Sequence, residues 1–200
     1  MLLVIDSATA ACSVALFGAD GTRLGAAHEI VQRGHAERLL PMIETVLAGR
    51  RPDAILVDCG PGSFTGVRVG LAAAQGLAIG WGVPVAGYSS MALIAAASGE
   101  AMTTVALIGG HGELFVQDYG GDPIAPLGEL RSLPPDAAAA ACSAPIVLGS
   151  GAQALVEVRG HGECRDALPN AADAGALPPA LRDLPPKPIY GRGPDARPMT

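Results

Sequence analysis

The run DAILVDCGPGSFTGVRVGLAAAQGLAIG, residues 53–80, limits the fold more than any other part of the chain. Ile55 to Cys59 is short and almost wholly apolar, as expected of a strand buried on both faces. A glycine-rich turn follows, and a helix begins near Thr65. Upstream, Leu2 to Ile5, Ser13 to Phe17 and Thr22 to about His28 read as three strands. The last two are joined by the turn Gly18-Ala19-Asp20-Gly21, giving a meander. Between meander and run, Leu39, Leu40, Ile43, Val46 and Leu47 recur at helical spacing from His35 to Ala48, with Gly49 as a stop. Pro41 predicts a kink or the effective start of that helix. Val83 to Ala86 is a further strand, and Ser89 or Ser90 caps an Ala-rich helix reaching about Ala97. The order βββαβαβα predicts an α/β fold with a mixed sheet flanked by helices.

The second half repeats this beginning in outline. Thr104 to Ile108 and Leu114 to Tyr119 resemble the opening hairpin, and Pro145 to Gly151 echoes Ile55 to Gly62. One large domain or two small lobes are expected, and a division would fall between residues 1–100 and a smaller, degenerate 101–200. Beyond Leu168 the chain is rich in Pro and Ala, and a tail from Pro185 to Thr200 is predicted to be extended and partly packed.

At 200 residues, 50% apolar and 16% charged, the chain can bury a substantial core. Cys12, Cys59, Cys142 and Cys164 form no C-x-x-C pair, which fits a reducing compartment. Asp6 interrupts the apolar start, and no apolar stretch reaches the roughly 20 residues of a membrane span. A cytoplasmic protein without membrane contact is expected. A net charge of -6, with Lys187 alone among thirteen Lys and Arg, opposes autonomous binding to a phosphate backbone.

Several chemistries can be weighed against the residues. A P-loop needs a lysine where this turn has Val67. The dinucleotide fingerprint needs its third glycine one residue earlier than Gly66. A turn that feeds a helix can still hold an anion on backbone N–H groups, so Gly60, Gly62 and Ser63 remain candidates. Ser63 is out of place for a nucleophile elbow, and His28, His35, His111 and His161 show no metal-ligand spacing. Asp6, followed by Ser7 and Thr9, stands where a carboxylate could hold Mg²⁺ and phosphate; as an ordinary side chain it caps the turn. In the helix after Thr65, small residues recur at Gly66, Gly70, Ala73 or Ala74, Gly76 and Gly80. Each interior glycine costs roughly 1 kcal/mol relative to alanine, a cost that close helix packing would offset, on the chain's own sheet or on a partner.

The segments LLVIDSATAACSVALF, HAERLLPMIETVL, GPGSFTGVRVGL, PVAGYSSMALIA and PIYGRGPDAR together resemble the bacterial TsaB (YeaZ) family, from one end of the chain to the other. The resemblance implies an actin-like (ASKHA, ribonuclease H-like) fold of two related lobes. It also implies a non-catalytic role, with no cofactor or metal of its own, in forming threonylcarbamoyladenosine in tRNA. The implied partners are the paralogue TsaD, which holds the metal and transfers the threonylcarbamoyl group, and the ATPase TsaE. A homodimer would form when TsaD is absent, and tRNA would be met only through the complex. The pairing helices correspond to His35 to Leu47 and Thr65 to Gly80. Their candidate contacts are His35, Leu39, Leu40, Ile43, Leu47, Arg68, Gly70, Leu71 and Ala74. The chain has Asp6-Ser7-Ala8-Thr9 where the family has D-T-S-T, and Gly109-Gly110-His111 where many relatives have D-A-R. Both departures weaken a vestigial nucleotide or anion site at Asp6, Ser7, Thr9, Gly60, Gly62 and Ser63. The alternative is an ATP-binding phosphotransferase or ATPase built on Asp6 and the Gly60 to Gly66 turn; a peptidase lacks its constellation.

Overall fold

The structure, a computed structural model, describes residues 1–191. The meander forms as expected: β1 (Leu2–Asp6), β2 (Ala11–Phe17) and β3 (Arg23–Ile30) pair antiparallel. Helix α1 (His35–Leu47) then leads to β4 (Ala54–Asp58), which lies parallel to β1. Helix α2 (Phe64–Trp81) leads to β5 (Val85–Tyr88), parallel to β4, and α3 (Ser90–Ser98) closes the first half. The sheet order is β3-β2-β1-β4-β5. Pro41 neither starts nor ends α1: the helix runs through it, and the hydroxyl of Thr45 donates to the Pro41 carbonyl at 2.9 Å. Ser89 is the N-cap of α3, yet its side chain makes no capping bond.

The second half repeats the wiring with shorter pieces. Strands β6 (Met102–Ile108) and β7 (Leu114–Gly120) form a hairpin, with β8 (Ala125–Pro126) and β9 (Arg131–Leu133) both on β7. After α4 (Pro135–Ala141), β10 (Ile146–Leu148) lies parallel to β6; α5 (Ala152–Arg159) and β11 (Glu163–Arg165) follow. The path β9-β7-β6-β10-β11 is the first sheet's order again. Beyond Leu168 the chain does not stay with the second sheet. A 3-10 turn at Ala171–Ala176 docks on β2, where Ala171 N–H donates to Ser13 Oγ at 2.9 Å. Leu184 then bridges Gly87, and Ile189 N–H donates to the Cys59 carbonyl at 2.8 Å. The expected tail is thus partly packed, tied back to the first sheet as far as Ile189 with Tyr190 left exposed, and residues 192–200 lie outside the described residues.

Strand alternation sorts the core. Leu3, Ile5, Ile55 and Val57 face α1 and α2, whereas Val4 and Leu56 face α3 and the second sheet. Burial on both faces explains why β1 and β4 read as continuous apolar runs. Helix α3 is apolar all round because it is sandwiched between the sheets, its Met91 and Leu93 meeting Val105, Leu107 and Tyr119. All four cysteines are free. Among the described residues, no helix is long and apolar enough to cross a membrane.

Candidate functional site

At the carboxyl end of β1 the chain turns through Ser7, Ala8 and Thr9 and meets the start of α2. Ser63 caps that helix, its Oγ accepting from Gly66 N–H at 3.3 Å. The fit is close. A Cβ on Gly62 would lie 2.1 Å from the Ala8 oxygen, and one on Gly66 would lie 2.2 Å from the Ser7 oxygen. The Ser63 N–H donates to the Ala8 carbonyl at 2.6 Å, and the Ser7 hydroxyl donates to the Gly66 carbonyl at 2.9 Å. The structure therefore brings Asp6, Ser7, Gly60, Gly62 and Ser63 together. The seat an anion would take on the Ser63 N–H is filled by the chain's own Ala8 carbonyl. Thr9 is used locally, its Oγ1 accepting from Ala11 N–H at 3.2 Å.

Behind the turn lies a pair of acids that sequence reasoning considered only in part. Asp6 and Asp58 are 0% and 2% exposed, at the ends of adjacent parallel strands. Asp58 is well supplied with donors: Ser90 Oγ reaches both of its oxygens, at 2.9 and 2.7 Å, and Gly60 N–H donates at 2.8 Å. Asp6 Oδ2 accepts from the Tyr88 hydroxyl at 2.8 Å, but Asp6 Oδ1 is buried without a donor. Burial, reinforced by the charge of Asp58, holds the Asp6 carboxyl well above its usual range. Burial also pushes Asp58 up to about 6, against the lowering influence of its Ser90 and Gly60 donors. Protonation resolves the orphan: an O–H on Asp6 can donate to Asp58, so the pair is satisfied when it shares one proton. Asp58 is the acceptor and Asp6 the neutral partner. Burial pushes the Cys12 thiol up to about 11 and the Cys59 thiol to about 12, so neither offers a thiolate at neutral pH.

The expected partner contacts divide. Leu39, Ile43, Leu47, Leu71 and Ala74 are buried in the core beneath the first sheet's outer face. His35 also turns inward, with Nε2 donating to the Thr9 carbonyl at 2.8 Å. Gly70 packs against Ser7, whose Oγ would lie 2.6 Å from an added Cβ. Within the chain these positions support the helices that carry them, because apolar residues at helical spacing first cover their own sheet. Leu40 is 53% exposed, and Arg68 lies on the outward side of α2. That side continues through Val69, Ala72, Gly76, Ile79 and Gly80; Ile79 is 85% exposed, and a Cβ on Gly76 or Gly80 would meet nothing within 4 Å. The small-residue stripe thus serves two faces, with Gly66 and Gly70 inward and Gly76 and Gly80 outward.

Between the two sheets, beside the α2 N-terminus, opens a cavity of about 1080 Å³. Phe64 and Val67 of α2, Leu107 and Ile108 of β6, Phe115 of β7 and Tyr190 of the tail contribute to its wall. Arg68 spans its rim, its guanidinium 3.3 Å from the Phe64 ring centroid and donating to the Tyr190 hydroxyl at 2.7 Å. Sequence reasoning missed Tyr88, Ser90 and this cavity. The Asp58 to Ser90 pairing joins two motifs 32 residues apart that became neighbours only through parallel strand pairing.

Two halves of the same strand order, parallel at the first and fourth strands and antiparallel through the hairpins, define a protein of the actin-like, ribonuclease H-like class. The ethanolamine utilization protein EutJ from Carboxydothermus hydrogenoformans shares this fold at a TM-score of 0.51 and 14% identity, over 90% of this chain and 89% of that one. A closer match is an uncharacterized protein with similarity to peptidase YEAZ from Pseudomonas aeruginosa, with a TM-score of 0.81 and 31% identity over 96% of this chain and 99% of that one. The family model described as "TsaD: tRNA N6-adenosine threonylcarbamoyltransferase" matches residues 22–137. The tRNA threonylcarbamoyladenosine biosynthesis proteins TsaB of Escherichia coli and Haemophilus influenzae are 39% and 45% identical, over 59% and 50% of this chain. Those matches span 54% and 43% of the relatives, about half their length. The chain belongs to the TsaB (YeaZ) family, within the wider group that the TsaD model describes.

Proposed function

We propose that the chain is a non-catalytic subunit in the formation of threonylcarbamoyladenosine in tRNA, working in the cytoplasm beside a TsaD-type paralogue and a TsaE-type ATPase. Residues 1–100 form its partner-binding lobe. The observation that carries the reading is the outward face of α2, where Ile79 is 85% exposed beside open glycines and Leu40 of α1 is 53% exposed. Exposed apolar side chains around small residues let a second helix pair approach closely, as core-to-core contacts in stable interfaces require. A paralogue of the same fold can present similar helices, and a second copy of this chain can do so when the paralogue is absent. A net charge of -6 suits contact with tRNA through the complex rather than alone.

Ile79→Asp should abolish co-purification with the TsaD-type paralogue and leave the circular dichroism spectrum unchanged. Depletion of the chain should lower threonylcarbamoyladenosine in tRNA, read by nucleoside mass spectrometry, and wild type but not Ile79→Asp should restore it. Unchanged modification after depletion sinks the reading. The phosphotransferase alternative has the weaker support, because the Ala8 carbonyl fills the anion seat and Asp6 is paired with Asp58. Saturable binding of Mg-ATP abolished by Asp6→Ala, measured by titration calorimetry, would revive it.

A further inference from the structure

The cavity between the sheets has a chemistry that the pairing role does not use. We propose that it binds a small amphipathic organic anion, with an apolar or aromatic body inside and one anionic group on Arg68. Three large apolar side chains stand unusually open to water, Phe64 at 69%, Ile108 at 64% and Tyr190 at 61%, and all three converge on this one cavity. Grouped exposure of that kind marks a surface that something covers. The space of about 1080 Å³ lies just above the roughly 300–1,000 Å³ of small-molecule sites and is walled chiefly by apolar groups.

The charge pattern narrows the ligand. Among the described lining residues no Asp or Glu appears, and Arg68 is the one permanent charge. Its guanidinium is held in place by stacking on Phe64 and by bonds to the Phe64 carbonyl (2.9 Å) and the Tyr190 hydroxyl (2.7 Å). Those two bonds use two of its five N–H groups, which leaves donors for a carboxylate, sulfonate or phosphate monoester. A nucleoside triphosphate fits poorly. It carries several charges, while the wall supplies one cation, offers no acid to hold a magnesium ion, and has the Ala8 carbonyl where a phosphate would meet the start of α2.

Two fluorescent probes of nearly the same shape test this on the full chain: the anionic 8-anilinonaphthalene-1-sulfonate and the uncharged N-phenyl-1-naphthylamine. Both should bind saturably at one site per chain. Gly110→Trp should remove both, since a side chain there starts in open space on the cavity wall. Arg68→Gln should weaken the anionic probe roughly tenfold, the scale of one charge-assisted hydrogen bond, and leave the neutral probe unchanged. If Gly110→Trp does not fold by circular dichroism, Ile108→Trp, which grows from an exposed position on the same wall, gives the same reading. The proposal is overturned by non-saturable binding, by binding that survives the tryptophan, or by equal weakening of both probes in Arg68→Gln. Because the experiment uses the chain alone, its outcome is independent of pairing with a paralogue.

Discussion

The two halves of the molecule share a strand order and differ at the carboxyl ends of their strands. In the first half, the last rung of the opening hairpin pairs Asp6 with Ser13; in the second, it pairs Ile108 with Leu114. A buried acid stands at one end, and at the other an isoleucine that opens onto the cavity. The glycine turns, by contrast, are kept in both. Gly62 and Gly66 press against Ala8 and Ser7, while a Cβ on Gly149 would lie 2.3 Å from the Ala106 oxygen. Close approach of turn to strand therefore belongs to the fold itself, and the acid pair is an addition peculiar to one half.

The largest effects should come from breaking what the halves share. Gly66→Ala places a methyl group against a backbone oxygen, and Gly149→Ala does so at a φ of 113° that an L side chain rarely adopts. Each should cost about 3 kcal/mol, seen as a fall in Tm of roughly 10 °C by calorimetry. If either variant melts like wild type, the turn in that half is not held by close approach, and the likeness of the halves is only one of wiring.

Much of this likeness was legible in the residues. The all-apolar runs at Leu3 to Ile5 and Ile55 to Val57 fixed the central strands, because burial on both faces leaves no other pattern. The stripe from Gly66 to Gly80 announced close packing but not its direction. A helix that covers a sheet on one side and exposes small residues on the other has no sharp amphipathic period. Leu39 and Ile43 were legible as an apolar face, though not as one already occupied by the meander strands β2 and β3. The pairing of Asp6 and Asp58 was hidden because the two residues are 52 positions apart in the chain, with only strand register to join them.

Sharpening the difference between the halves means titrating the acid pair. Both carboxyls are raised by burial, so the folded chain holds protons that the unfolded chain releases. Stability is then fully present below the ordinary carboxylate value near 3.8 and falls as pH rises through the folded values, including about 6 for Asp58. Each extra bound proton contributes about 1.4 kcal/mol per pH unit, so the slope is about twice that while both carboxyls hold their protons and about 1.4 kcal/mol per pH unit once Asp58 has ionised. Asp6→Asn replaces the shared proton with an amide donor. It should flatten this slope and raise Tm at neutral pH relative to wild type. Parallel pH profiles for the two proteins would show that no proton is shared.

The smallest effect, opposite in sign, comes from the outward face that the second half lacks: α2 has 18 residues and α5 only 8. Gly76 lies within a helix, and a Cβ there meets nothing. Gly76→Ala should therefore stabilise the isolated chain by about 1 kcal/mol, read by urea denaturation, because alanine loses less conformational freedom on entering a helix. Gly66→Ala, two to three turns earlier on the other face, does the reverse. Gly76→Leu should leave the fold intact yet weaken pairing with the paralogue, since the open space is where a partner's backbone would come closest. A chain stabilised by Gly76→Ala and still paired in Gly76→Leu would assign the glycine no role on that face, and the pairing surface would have to be sought around Leu40 and α1 instead.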